Sequence, residues 1–222
     1  SNAMDEGWLF VIPLYNRMGS GYIFDSSEIS VEDAIKKYKK YWEGYEFIQE
    51  PQHMSWEAGK YKTQWNKNVV SIGMTGSMIE PMEANILGIA QAGFQLCSSL
   101  IARAEENDEV IGRGSLHAYN KNIDWLVETI KRFILFHYTL SDREDTPFWK
   151  KKKQLGIDMK HKEACWREYR VPGNNAESGV PDFMWAMMAV AMGKFDDDIK
   201  LNTKPELMEQ ANEKFSWLRT SA

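Results

Sequence analysis

The stretch GSMIEPMEANILGIAQAGF, residues 76–94, marks the point at which the character of this sequence changes. Polar and glycine-containing segments precede it, whereas apolar residues at helical spacing follow it, beginning with Ile86 and Ile89. Two carboxylates, Glu80 and Glu83, flank a proline at this change. One interpretation is that they favour the start of the helix that follows. The other is that one of them is a catalytic carboxylate beside an anion site.

Upstream of this point the sequence predicts strands, turns and one helix. The apolar runs GWLFVIPLY (7–15) and YIFDSS (22–27) are separated by a turn, which predicts a hairpin. Ser30 followed by Asp33 is a capping signal for a helix. The sequence gives three further strand candidates: 47–51, 53–65 and 68–74.

Downstream of this point the sequence predicts helices. An apolar stripe with spacings of three and four runs from Leu116 to His137 and predicts one long helix. Thr146 and Pro147 predict the start of another helix, and further helices are expected near 180–195 and after Thr203. We therefore predict an α+β fold. Its expected parts are a remnant of a cleaved expression tag (1–3), a strand-rich part (4–83) and a mainly α-helical C-terminal region (84–222).

The composition excludes several classes of protein. With a net charge of −5 over 222 residues, the chain lacks the positive surface expected of a nucleic-acid-binding protein. The longest apolar candidate, FMWAMMAVAMGKF, is too short for a membrane span. The two cysteines and four histidines show no metal-ligand spacing, so no metal site is predicted. Cysteines in apolar helical patterns predict reduced thiols and a cytoplasmic protein.

Four segments of the chain, taken in order, resemble one known family. They are WLFVIP (8–13), GSGYIFDSSEIS (19–30), WNKNVVSIGMTGSMIEPMEANILGI (65–89) and FILFHYTLSDREDTPFWK (133–150). They are similar to motifs in the C-terminal part of the flavin-dependent tryptophan halogenases; Phe10 replaces the second Trp of the family's WxWxIP signature. The family's GxGxxG nucleotide-binding start is not among these residues. The resemblance implies a fragment of an FAD-dependent monooxygenase-like halogenase fold, whose N-terminal strands come from a mixed sheet and which lacks the N-terminal FAD-binding half.

The resemblance also implies roles for individual residues. Glu83 matches the family's active-site glutamate. The expected halide-binding residues are Ala84, Asn85 and Ile86, at the start of the helix. The expected cofactor-binding residues, on the side that faces the flavin, are Trp8, Phe10, Ile12, Pro13, Gly73 and Gly76. Structural explanations stay open for each: a helix start for Glu83, a buried strand for Trp8 and its neighbours, and a strand-end turn for the glycines. His137 is expected to be a satisfied core residue, and Arg143 to pair with Asp145.

The reaction that the resemblance implies needs two small cofactors and a partner enzyme. In the family, reduced FAD and oxygen convert a halide ion into hypohalous acid, which reaches an electron-rich aromatic substrate such as tryptophan or another indole or phenol. A flavin reductase supplies the reduced FAD. This chain alone is expected to be inactive and to self-associate, because its strands lack their sheet neighbours. The alternative is a non-catalytic helical remnant that binds a protein partner or an aromatic ligand.

Overall fold

The computed structural model describes residues 1–155, 184–185, 188 and 192. The chain divides into two compact units, Ser1–Ile157 and Asp158–Ala222, and the first contains the elements described below. Its strands are β1 (Asn2–Met4), β2 (Gly7–Pro13), β3 (Met18–Phe24), β4 (Gly59–Lys60), β5 (Trp65–Asn66), β6 (Val69–Val70) and β7 (Ser77–Met78), and its helices are α1 (Val31–Tyr41), α2 (Asn85–Glu106), α3 (Arg113–Leu140) and α4 (Pro147–Gln154). The helices predicted near 180–195 and after Thr203 lie almost wholly outside the described residues.

The predicted hairpin is confirmed and forms most of the largest sheet. Strands β1, β2 and β3 pair in that order, all antiparallel, with Trp8 opposite Ile23 and Leu9 opposite Tyr22. Successive side chains of β2 point to opposite faces, and Leu9 is fully buried. Strand β1 contains residues 2 and 3, which the sequence analysis assigned to a tag remnant.

All strand pairs among the described residues are antiparallel, and the mixed sheet implied for the whole fold stays a prediction. Two of the predicted strands differ from the structure. The segment 47–51 forms no strand, and 53–65 contributes only short strands at Gly59–Lys60 and from Trp65. Ile48 and Met54 are 78% and 75% exposed, so neither has a sheet face to cover, and Pro51 lacks the N–H that a ladder requires.

The helix starts in the first unit follow the capping signals in the sequence. The Ser30 hydroxyl accepts a hydrogen bond from the backbone N–H of Asp33 at the start of α1. Thr146 does the same for Trp149 at the start of α4, where Pro147 is the first helical residue. Each such cap stabilises its helix by about 1 kcal/mol.

The core lies along the predicted stripe of α3, which is confirmed. Its buried residues are Tyr119, Ile123, Val127, Ile130, Phe133, Ile134, Phe136, His137, Tyr138 and Leu140. At Gly93 of α2 an added Cβ would lie 3.0 Å from the Tyr119 hydroxyl oxygen. That hydroxyl donates a hydrogen bond of 2.9 Å to the carbonyl of Ser71, and burial raises the pKa of Tyr119 to about 12. Glycine at position 93 therefore lets α2 and α3 approach closely.

Helix α2 buries only one of its faces. Ile89, Gly93, Cys97 and Ala104 are buried, whereas Leu87, Phe94 and Ile101, seven residues apart in turn, are 69%, 63% and 36% exposed. In the described part of the chain, the segment Met82–Glu106 is the one helix long and apolar enough to cross a membrane by length and composition. Its apolar run is hard to recognise in the sequence because Asn85, Gln91 and Gln95 interrupt it. Core helices of other proteins meet the same criterion, so this helix is weak evidence for a membrane span.

Helix α4 and the segment before it hold the N-terminal strands. The Trp149 indole N–H donates to the carbonyl of Met4 over 2.8 Å. The Arg143 guanidinium donates to the carbonyls of Ala3 and Met4 and, as predicted, pairs with Asp145. These contacts join β1 to α4 and to the segment that follows α3.

Candidate functional site

The loop from Ile79 to Asn85, which we call the EPME loop, connects β7 to α2 and has a strained backbone. Glu83 and Ala84 have φ angles of 59° and 51°, in the left-handed region that costs a residue with a Cβ roughly 1–2 kcal/mol. Two such residues in succession persist only where surrounding contacts hold them, and such strain is concentrated at functional sites. The two glutamates of the loop supply those contacts.

Glu80 anchors the loop to the end of α3. The Tyr138 hydroxyl donates a hydrogen bond of 2.5 Å to Glu80 Oε1. Burial raises the pKa of Glu80, and the bond from Tyr138 and the charge of Lys152 oppose this effect. The Lys152 ammonium lies 5.8 Å from the centre of the Tyr138 ring. Glu80 is therefore a half-buried carboxyl with a fixed partner, and its role is structural.

Glu83 occupies a different environment from Glu80. Its side chain is 37% exposed, and its Oε1 lies 3.7 Å from Nε2 of His137, whose side chain is 4% exposed. Contact with His137 lowers the pKa of Glu83 against the effect of partial burial, and the α-amino group of Ser1 lowers it further. Glu83 is thus an ionised carboxylate, held on one side by a buried imidazole and open on the other.

The capping interpretation of the two glutamates is not supported. The residue that precedes α2 is Ala84, whose side chain makes no capping hydrogen bond to the first turn of the helix. Glu80 is bound to Tyr138 and Glu83 lies beside His137. The two carboxylates are therefore directed towards adjacent residues of α3, not towards the N–H groups of α2.

The residues predicted to bind a halide lie at the start of α2. Ala84 is exposed, and Asn85 and Ile86 are half-buried. The Asn85 side chain donates to the carbonyl of Met82 over 2.9 Å, so its amide N–H is engaged within the turn. What remains for an anion is the backbone N–H groups of the first turn and the positive end of the helix dipole. The halide assignment stays a prediction.

Strand β2 carries two of the predicted flavin-side residues, of which Trp8 contacts the end of α3. The Trp8 indole is in edge-on contact with Tyr138, at 5.8 Å between ring centroids, and with Trp149 at 5.0 Å. The Phe10 ring covers Gly21 of β3, where an added Cβ would overlap it. Tyr138 therefore contacts both Trp8 and Glu80 and links the strand to the loop.

The C-terminal end of β2 is open to a cofactor, whereas the space beside the two predicted glycines is filled. Ile12 is 52% exposed and Pro13 is also exposed, so this end of the strand can line a flavin. Gly73 has a φ of 63°, and an added Cβ would lie 2.9 Å from Cβ of Ala90; at Gly76 it would overlap the Gln64 side chain. Packing within the chain thus explains both glycines and fills the space beside them. The glycines do not form an open cradle for FAD, and their contact with a flavin stays a prediction.

Sequence reasoning missed the partners of the two glutamates. It treated His137 as a satisfied core residue, but only Nδ1 has a hydrogen-bonding partner, the carbonyl of Phe133 at 2.8 Å. Within the described part of the chain, Nε2 is buried without one. One signal in the sequence could have indicated these partners. Two polar residues, His137 and Tyr138, lie together at the end of an apolar helix, and the EPME loop offers two glutamates three residues apart. Among the described residues, no group of three or more His, Cys, Asp or Glu could hold a metal ion.

Comparisons with known proteins identify the family that this chain resembles. A family model described as tryptophan halogenase matches residues 1–200. Tryptophan 6-halogenase ThaL of Streptomyces albogriseolus is 26% identical over 71% of this chain and 29% of its own length. Tryptophan 7-halogenase RebH of Lentzea aerocolonigenes is 28% identical over 70% of this chain and 28% of its own.

The fold is shared with solved structures that are also longer. BrvH, a flavin-dependent halogenase from Brevundimonas sp. BAL3, superposes with a TM-score of 0.72 at 21% identity, over 96% of this chain and 43% of that one. The chain thus spans under a third of the length of the curated relatives and under half of this structure. With its family match covering most of the sequence, the chain belongs to the tryptophan halogenase family.

Proposed function

We propose that this chain is the C-terminal part of a flavin-dependent halogenase that acts on an electron-rich aromatic compound, with Glu83 as its catalytic carboxylate. The observation that carries the proposal is the position of Glu83. It is an ionised, partly exposed carboxylate on a strained loop that Glu80 and Tyr138 hold in place. Family membership and the relatives' names support the reaction class.

Glu83 would remove the proton that halogenation releases. When an electrophilic halogen adds to a ring carbon, the C–H bond at that carbon must break and its electron pair must return to the ring. A carboxylate oxygen of Glu83 accepts the proton, for which it must be ionised. The lowered pKa of Glu83 keeps it ionised over a wide range of pH. General-base catalysis of this kind contributes roughly 10²–10⁴-fold to a rate.

The cofactors of this reaction would meet the chain on two sides of the EPME loop. Reduced FAD, when bound, would activate dioxygen, and the activated oxygen would supply the oxidising power that turns a halide into hypohalous acid. The exposed end of β2, Ile12 and Pro13, would line it, while its main site would lie on an N-terminal FAD-binding half. A halide would lie at the start of α2, beside Ala84, Asn85 and Ile86. A cytoplasmic flavin reductase would provide the reduced FAD.

Halogenation by the reassembled enzyme tests this proposal. The chain would be joined to, or mixed with, the FAD-binding part of a family member and supplied with a flavin reductase, NADH, bromide or chloride, and tryptophan, other indoles and phenols. We expect a mass increase of one halogen on at least one substrate, dependent on FAD and halide. No halogenated product from any substrate, with FAD bound and reduced, would contradict the proposal.

One observation favours the alternative of a partner-binding role. Leu87, Phe94 and Ile101 form an exposed apolar stripe on α2, and exposed apolar patches of this kind mark interaction surfaces. A second copy of the chain, or the FAD-binding half, would cover it. If the chain binds a partner through this stripe but halogenates nothing after reassembly, the non-catalytic role is the correct one.

A further inference from the structure

The hydrogen bond at Nδ1 of His137 determines which ring nitrogen carries the proton. Nδ1 lies 2.8 Å from the carbonyl oxygen of Phe133, one turn earlier on α3. A carbonyl oxygen can only accept a hydrogen bond, so Nδ1 carries the hydrogen. In the neutral imidazole, Nε2 is then an acceptor with a free lone pair. The ring is fixed further by edge-on contact with Phe133, at 4.8 Å between centroids.

The other ring nitrogen faces a second acceptor. Nε2 of His137 is buried and has no hydrogen-bond partner among the described residues, and the carboxylate oxygen Oε1 of Glu83 lies 3.7 Å away. Nε2 facing another acceptor is unfavourable, because a buried polar atom without a partner costs about 1–3 kcal/mol. One proton between Nε2 and Oε1 removes this conflict. The pair is then imidazolium with carboxylate, or imidazole with carboxylic acid.

We propose that His137 is a positioning residue that shares one proton with Glu83 and thereby holds this carboxylate in its reactive orientation. The sharing is a property of the chain itself, whereas its consequence for a reaction rests on the proposed function. Contact with His137 lowers the pKa of Glu83, so Glu83 is the carboxylate partner of the pair. His137 would then leave the second oxygen of Glu83 free to meet a substrate.

The other charged groups around the pair are Glu80, Lys152 and the α-amino group of Ser1. Glu80 of the same loop accepts a hydrogen bond from Tyr138; burial raises its pKa, and the charges of Lys152 and His137 oppose that rise. Lys152 of α4 acts on Glu80. The α-amino group of Ser1 acts on Glu83 in the same direction as His137, so all variants in a test must share one N-terminus.

Titration of the 222-residue chain by NMR tests the sharing without any halogenation. Histidine labelled with ¹⁵N reports the tautomer, and glutamate labelled with ¹³C at the carboxyl reports the ionisation of Glu83, assigned with Glu83→Gln. We compare His137→Gln, whose amide can still donate to Glu83, and His137→Leu, which cannot. His117→Gln on the same helix is the matched control, because His117 is exposed.

We expect Nδ1 to carry the hydrogen in the neutral ring of His137. We also expect the pKa of Glu83 to rise in His137→Leu, to rise less in His137→Gln and to stay unchanged in His117→Gln. A neutral ring protonated at Nε2, or an identical Glu83 titration in the parent chain and His137→Leu, would overturn the proposal. Unfolding of both His137 variants would leave the tautomer of the parent chain as the deciding result.

The pH profile of the reassembled enzyme then connects the sharing to the reaction. In His137→Leu, Glu83 becomes protonated at a higher pH, so the acid limb of the kcat profile should move to higher pH. In His137→Gln this displacement of the acid limb should be smaller. An unmoved acid limb would overturn the positioning role. If the Glu83 titrations change as expected but neither the parent enzyme nor any variant halogenates, the proposed function fails and the proton sharing stands. If the parent enzyme halogenates but the Glu83 titration is the same in the parent chain and in His137→Leu, the proton sharing fails and the proposed function stands.

Discussion

Removal of the Tyr138 hydroxyl tests how the EPME loop is held. Tyr138 is 4% exposed, and its hydroxyl is the donor to Glu80 Oε1 at 2.5 Å. A hydrogen bond to a charged group contributes roughly 1.5–3 kcal/mol, and one between neutral groups about 1 kcal/mol. Tyr138→Phe should therefore lower the free energy of unfolding by about 2 kcal/mol at neutral pH. At this chain length that loss lowers Tm by roughly 4–8 °C.

The matched control for this substitution lies on the same helix. Tyr119 is fully buried and donates over 2.9 Å to a neutral carbonyl, so Tyr119→Phe should cost only about 1 kcal/mol. The cost of Tyr138→Phe should also depend on pH. The bond from Tyr138 lowers the pKa of Glu80, so the variant raises that pKa further and loses most stability where Glu80 is ionised in the parent protein.

Urea unfolding at several pH values measures both effects. The difference between the two variants should be largest at neutral pH and shrink as the pH falls through the raised pKa of Glu80. The same loss from Tyr138→Phe as from Tyr119→Phe, at every pH, would refute the reasoning. In a Glu80→Gln background the extra cost of Tyr138→Phe should also fall, because the acceptor is then neutral.

Two further predictions concern the glycine at the α2 interface and the exposed stripe of α2. Gly73→Ala should lower the free energy of unfolding by about 2 kcal/mol in urea, because φ is 63° and the new Cβ meets Cβ of Ala90 at 2.9 Å. Gly88→Ala, in the first turn of α2 with open space beside it, should raise the free energy of unfolding by up to about 1 kcal/mol. Equal effects of the two substitutions would contradict the packing argument. Phe94→Glu should abolish self-association in sedimentation while leaving the free energy of unfolding within about 0.5 kcal/mol of the parent. The exposed neighbour substitution Gln95→Glu should leave self-association intact, and a parent chain that is monomeric at every concentration would contradict the role of the stripe.

The sequence predicts local structure correctly where a single local feature, such as a capping residue or an apolar stripe, determines it. Ser30 and Thr146 start helices because a side-chain oxygen three residues before a free N–H can act within one turn. The stripe of α3 is confirmed because a core face leaves a period of 3.6 in the sequence. The segment 47–51 was mispredicted because a run of apolar residues does not reveal whether a neighbouring strand exists to pair with it.

The candidate site was harder to predict because its contacts join distant segments. Glu83 could be singled out from its surroundings in the sequence. Its partner His137 could not, since a contact across 54 positions leaves no periodicity, and a histidine on an apolar stripe suits a core residue as well as a charged partner. Gly73 and Gly76 were correctly marked as positions of close approach, but Ala90 and Gln64, which lie against them, are visible only in the fold.

The rate of halogenation by Glu83→Gln tests the central claim most directly. The substitution keeps the shape of the side chain and removes its ability to accept a proton, and the 37% exposed side chain makes it a mild change for the fold. In the reassembled enzyme we expect kcat to fall by about 100-fold or more, with unchanged FAD binding and a cooperatively folded protein. A kcat equal to that of the parent enzyme would contradict the role of Glu83.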